Sequence, residues 1–199
     1  TNADGEEQFP DESGHNFPAT ISQGDPEIDA EPGTLTVNTE NALRGAGAAS
    51  FSQSPLGSDL PVFIDFDGQN ITENFPELLP TGGLNDIFGV TFAVWVNPTA
   101  NDVSDQSIFQ GRTSTGGHGA PHFQLQGNGK LRMTFRNQNS GTVVNAPQVF
   151  IDGTEDSGES FPIDEWFHYA GTYDVDENLW AMYYNGTLLQ QGEGTGEDL

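Results

Sequence analysis

The chain has 199 residues, room for one domain or one domain with a tail, and it has no cysteine, so a disulfide scaffold and a thiolate metal site are both excluded. Its 30 Asp and Glu against 5 Lys and Arg give a formal charge of −25, which repels DNA, RNA and anionic membranes. The same balance suits solubility in high salt, as on a halophilic or marine surface protein, and attracts divalent cations.

Residues 1–33 are rich in Gly, Pro, Asp, Glu and Ser, with Phe9, Phe17 and Ile21 as isolated apolar anchors. They read as an acidic segment that packs on a domain spanning 34–199. Thr1 opens the chain without a Met or a signal peptide, as in a processed chain or a piece of something longer. Further along, "VFIDFDG" (62–68) alternates Val62, Ile64 and Phe66 with Phe63, Asp65 and Asp67. "FPELL" (75–79) is the one stretch with the makings of a helical turn. "VTFAVWV" (90–96) is almost continuously apolar, which predicts a strand covered on both sides. "GGHGAPHF" (116–123) reads as a flexible loop, and "HFQLQGNGKLRMTF" (122–135) as a hairpin about Gly127-Asn128-Gly129 with Leu131, Met133 and Phe135 facing in. "EWFHYAGTYD" (165–174) and "NLWAMYYNG" (178–186) form a second pair joined by an acidic turn. No apolar run approaches the ~18–20 residues of a membrane-spanning helix. The pattern predicts an all-β, two-sheet antiparallel sandwich or jelly roll.

Several groups of residues carry chemistry. Hard cations take carboxylate and carbonyl oxygens at loop ends, so Ca2+ candidates are Asp65 and Asp67, Asp102 and Asp105, and Asp174, Asp176 and Asn178. Each group also suits an ordinary solvated turn. Lys130, Arg132 and Arg136 share a parity on one strand, either a plain solvent face or a surface for carboxylated or sulfated glycans. Trp180, in phase with Met182 and Tyr184, is the expected aromatic platform for a sugar, whereas Trp95 and Trp166 are expected in the core. Of the histidines, His168 is expected to be a packed structural residue. Asn70-Ile71-Thr72 and Asn185-Gly186-Thr187 are glycosylation sequons. No Ser-His-Asp set, phosphate-binding glycine loop or zinc signature is present.

Two resemblances follow from these stretches. "DESGHNFPATI" (11–21), "FIDFDG" (63–68), "FGVTFAVWVNPT" (88–99), "SIFQGR" (107–112), "IDEWFHYAGTYD" (163–174) and "AMYYNGTLL" (181–189) together resemble the laminin-G-like and pentraxin-like domains of the concanavalin A-like jelly roll, in the right order over roughly residues 9–190. That likeness implies a structural or ligand-bridging Ca2+. It also implies one closing strand beyond those seen, supplied by another chain, by later sequence or by the N-terminal region. Separately, Glu27, Asp29 and Glu31 in "PEIDAEPG" (26–33) resemble the catalytic signature of family-sixteen glycoside hydrolases. Pro26 and Pro32 flank that motif and disfavour a central strand, so an exposed acidic loop is the expectation there.

The expectation is a secreted or cell-surface, calcium-associated carbohydrate-binding or adhesion module of a larger protein, not an enzyme. Its partners would be glycans or cell-surface and matrix proteins, with no nucleic acid and no membrane insertion. A scaffolding module that assembles with neighbouring domains or chains is the alternative. A glycoside hydrolase using Glu27, Asp29 and Glu31 is the second alternative.

Overall fold

The computed structural model describes residues 89–101, 105–112, 118–136 and 142–195, and the strand backbones at 8–9, 19–23, 34–38, 48–52 and 62–65; at 110–112, 118–121, 136 and 143 the backbone alone is described. The named elements are all strands. The chain divides into two compact units, Thr1–Pro76 and Glu77–Leu199. The expectations at 26–33 and 75–79 lie outside the described residues.

In the first unit the strands are β1 (Gln8–Phe9), β2 (Ala19–Gln23), β3 (Thr34–Asn38), β4 (Ala48–Ser52) and β5 (Val62–Asp65). They make an antiparallel sheet in the order β1-β2-β5, with Ile21 opposite Ile64, and a separate β3-β4 pair.

The second unit contains β6 (Gly89–Val96), β7 (Gln106–Arg112), β8 (His118–Leu125), β9 (Leu131–Arg136), β10 (Thr142–Asn145), β11 (Phe167–Asp174), β12 (Leu179–Tyr184) and β13 (Thr187–Glu193). Two four-stranded antiparallel sheets result, ordered β10-β9-β8-β7 and β13-β12-β11-β6. Their inner faces meet in one core. Phe123, Leu131, Met133 and Phe135 of the first sheet pack against Phe167, Tyr169, Tyr173 and Met182 of the second. The Phe123 ring lies 5.4 Å from that of Tyr169, and Phe135 stacks on Tyr173 at 5.9 Å. This is the sandwich that the alternating pattern predicts, with Leu131, Met133 and Phe135 inward as expected.

Side chains of the opposite sheet press directly on the bare backbone of Gly171. A Cβ built there would lie 2.6 Å from Phe123 Cε1 and Cζ, and it would also collide with Met133 Sδ. Any larger residue at this point of β11 would have to displace these neighbours. Tyr169 is fully buried beside it, and its hydroxyl has no hydrogen-bond partner among the described residues.

Two local expectations need correction. The stretch from His118 is strand, not flexible loop, because β8 extends through Pro121. Pairing with β9 starts only at His122, and the register with β7 shifts between Gln110 and Arg112, so Pro121 sits where the ladder is already irregular. β6 is not covered on both sides either. Among the described strands it lies at the end of its sheet, and its residues alternate between exposed and half-buried.

Candidate aromatic ligand-binding site

β12 and β13 are joined by the two residues Asn185 and Gly186, both in the left-handed region at φ 47° and 79°. Asn-Gly in that conformation is the type I′ turn whose twist matches the flanking strands. The turn is tied to the start of β11. The His168 amide donates to Asn185 Oδ1 at 2.9 Å, and the Asn185 amide donates to the His168 carbonyl at 2.8 Å. His168 is in turn the register partner of Trp95 on β6.

Trp95 and His168 both point away from the core. Their rings meet edge to face at 5.2 Å, and Trp95 is 45% exposed. With Trp166, Asn185 and Gly186 they line a shallow, open depression of about 520 Å³ at one end of the sheet. The adjoining row on the same face is Ala93, Ala170, Tyr183 and the exposed Leu188. An exposed indole beside an imidazole and a carboxamide offers a flat apolar surface with polar groups at its margin. That combination suits the C–H face and the hydroxyls of a pyranose ring.

The phenol of Tyr184, next to Asn185, is held above its ordinary pKa of 10.0 first by burial, then by Glu159 and Glu165. The net charge of −25 on the chain disfavours a carboxylated or sulfated ligand.

The expected binding residues are not brought together. Trp180 is 7% exposed, packs against the Gly192 backbone, and donates its Nε1–H to the Glu193 carbonyl at 3.1 Å. It belongs to the core, and the exposed indole is that of Trp95 instead, flanked by a half-buried Trp166. The two expectations about the tryptophans are thus exchanged. Lys130 and Arg132 lie on the other sheet. Lys130 Nζ sits 5.1 Å from the Phe150 ring centroid, and Arg132 donates to Gln124 Oε1 at 3.2 Å. The Arg136 side chain lies outside the described residues. His122 is buried and contacts Ser107 Oγ at 3.1 Å, while His168 is half-buried at the depression rather than packed inside.

Among the cation candidates, Asp105 accepts from the Gly127 amide and from Gln126 Nε2. Asp174 caps the Glu177 amide at 3.0 Å. Asn178 accepts from the Tyr173 hydroxyl and donates to the Gly194 carbonyl, which ties the β11–β12 turn to the end of β13. Asp176 is exposed in that turn. These side chains do the work of turn residues, and among the described residues no three or more His, Cys, Asp or Glu side chains gather in one place. The Asp65 side chain, Asp67 and Asp102 lie outside the described residues, as do Glu27, Asp29 and Glu31.

A family model described as the concanavalin A-like lectin/glucanases superfamily, of the laminin G type, matches residues 72–199. The chain belongs to that superfamily. Its laminin-G-like region contains both sheets of the sandwich and every residue of the depression. Among solved structures, the binding domain of botulinum neurotoxin serotype G is similar in fold, with a TM-score of 0.50 and 13% identity over 92% of this chain. The laminin-G-like chain spans only 36% of that toxin chain. No curated protein matches the sequence.

Proposed function

We propose that this laminin-G-like sandwich is a non-catalytic carbohydrate-binding or adhesion module of a larger extracellular protein, and that it holds neutral glycans at Trp95, Trp166 and His168. The observation that carries the reading is the exposed Trp95 indole set against His168 in an open depression. Support also comes from the superfamily, whose domains often bind carbohydrates. Burying a large indole against a sugar face is the kind of contact that dominates recognition sites.

The binding reading is favoured over the enzymatic one by the lining of the depression. Among the described residues its one titratable side chain is His168, and no pair of carboxyls of the kind a glycosidase uses is found among them there. Calcium enters the proposal as a structural ion of the acidic loops rather than as a bridge to the sugar, because the described residues of the lining include no carboxylate. A glycan array probed in millimolar calcium and again in chelator tests both parts. Neutral-glycan hits that survive chelation support the proposal. Silence of a folded protein in both conditions overturns it.

A further inference from the structure

Asn-Gly occurs twice in the chain, at Asn128-Gly129 and Asn185-Gly186. Glycine places no side chain beside its own backbone nitrogen, so that nitrogen can approach the side-chain carbonyl carbon of the preceding asparagine. The fold sets the two pairs in opposite surroundings.

Gly129 is buried, and a Cβ built on it would run into the Ser160 side chain. Its amide donates to the Gln126 carbonyl at 2.9 Å, and its carbonyl accepts from the Phe161 amide at 3.1 Å. The nitrogen is thus occupied and the peptide is held on both sides. Asn185 and Gly186 are both exposed, and among the described residues nothing beyond the chain neighbours lies within 4 Å of a Cβ built on Gly186. The Gly186 amide makes no backbone hydrogen bond among the described residues, and the peptide has room to rotate. Asn185 Oδ1 accepts from the His168 amide at 2.9 Å. A donor on that oxygen polarises the carbonyl and stabilises the negative charge that attack on its carbon would create.

We propose that Asn185 is a site of spontaneous deamidation in the folded chain, and that the reaction installs a carboxylate in the lining of the Trp95 depression. Hydroxide takes the Gly186 amide proton, and the nitrogen bonds to Asn185 Cγ. The tetrahedral centre then expels the side-chain nitrogen, which takes up a proton and leaves as ammonia. Water opens the resulting cyclic imide at one of its two carbonyls. One opening gives aspartate at position 185. The other gives isoaspartate, in which the main chain runs through the former side chain and is one methylene longer. Both products add a negative charge beside His168 and Trp95, because Asn185 lines the depression with them. Isoaspartate also lengthens a two-residue turn whose geometry allows no extra atom, which releases its tie to His168. The inference does not depend on what the depression binds.

Incubation of the full chain at mildly alkaline pH, followed by peptide mapping with mass spectrometry, tests it. The same chain unfolded in urea is the reference, and an isoaspartate-specific methyltransferase distinguishes the two products. In urea both pairs are expected to convert at similar rates. In the folded chain Asn185 is expected to convert while Asn128 lags by at least ~10-fold, since its reaction waits for local opening of the turn. The aged chain should also gain an acidic form on anion exchange, and Asn185→Gln, whose longer side chain cyclises poorly, should abolish it. An Asn185 that stays intact in the folded chain while the unfolded chain converts overturns the proposal. So does a folded chain in which Asn128 converts as fast as Asn185 or faster.

Discussion

Replacing Gly171 by alanine adds one methyl group where side chains of the opposite sheet press on the backbone, and its cost can be worked out from the surroundings. The new Cβ would sit 2.6 Å from two atoms of the Phe123 ring, where carbon pairs prefer ~3.5–4.0 Å. Met133 Sδ is also in the way, but a thioether at the end of a flexible chain can swing aside. The ring cannot. Phe123 has no exposed surface and is held between Phe92 at 4.8 Å, Phe135 at 5.9 Å and Tyr169 at 5.4 Å. Overpacking of this kind costs about 1–3 kcal/mol. Alanine recovers roughly 0.5–1 kcal/mol over glycine in a strand. The net expectation is a loss of about 1–2 kcal/mol, which for a chain of this size lowers Tm by about 2–8 °C. Thermal unfolding followed by near-ultraviolet circular dichroism reads this directly. Phe123→Leu, which shortens the obstructing group, should make the pair of changes less costly than the sum of the two. An unchanged or raised Tm for Gly171→Ala would refute the packing described for this core.

Other expectations follow from single side chains. Trp180→Ala removes a buried indole and is expected to cost ~3–5 kcal/mol in denaturant unfolding, in contrast to a near-neutral change at the exposed Trp95. Tyr169→Phe deletes a buried hydroxyl that has no partner among the described residues and should stabilise the chain, on the order of 1 kcal/mol, as a raised denaturation midpoint. Asp152 titrates below its ordinary 3.8, chiefly because the Thr154 hydroxyl and amide, and then the Glu159 amide, donate to its carboxylate. A depressed carboxyl stabilises the fold above its unfolded value and loses that contribution as pH falls through the lower folded one. Carboxyl NMR titration should therefore place the Asp152 midpoint below 3.8, and Asp152→Asn should remove that part of the acid dependence.

The strands were legible because bulky apolar residues recur at every second position, and the hairpin turns because glycine and asparagine mark them. The roles of the tryptophans were harder to read, although the signal was there in the size pattern. In β6 the even positions hold Val90, Phe92, Val94 and Val96, while Trp95 shares its parity with Thr91 and Ala93, so it faces out. In β12 the inward parity belongs to Trp180, Met182 and Tyr184, which sets Trp180 over the bare backbone of Gly192. A nearly continuous apolar run at 90–96 concealed this parity. The depression itself was not legible, because it joins β6, the start of β11 and the β12–β13 turn, and only the sheet order β13-β12-β11-β6 makes these neighbours. Asp152 and its loop carry no distinguishing signal in the sequence, since acidic residues are common throughout the chain and only the hydrogen bonds single this one out.

The central claim is that glycan recognition resides at Trp95. Its most direct test is calorimetric titration of a neutral oligosaccharide that scores on the array, into the wild-type chain, Trp95→Ala and Arg132→Ala. Loss of a central indole contact is worth ~10- to 100-fold in affinity. The account predicts that loss for Trp95→Ala with an unchanged melting temperature, and wild-type affinity for Arg132→Ala. Full affinity in Trp95→Ala together with loss in Arg132→Ala would contradict it and move the site to the other sheet.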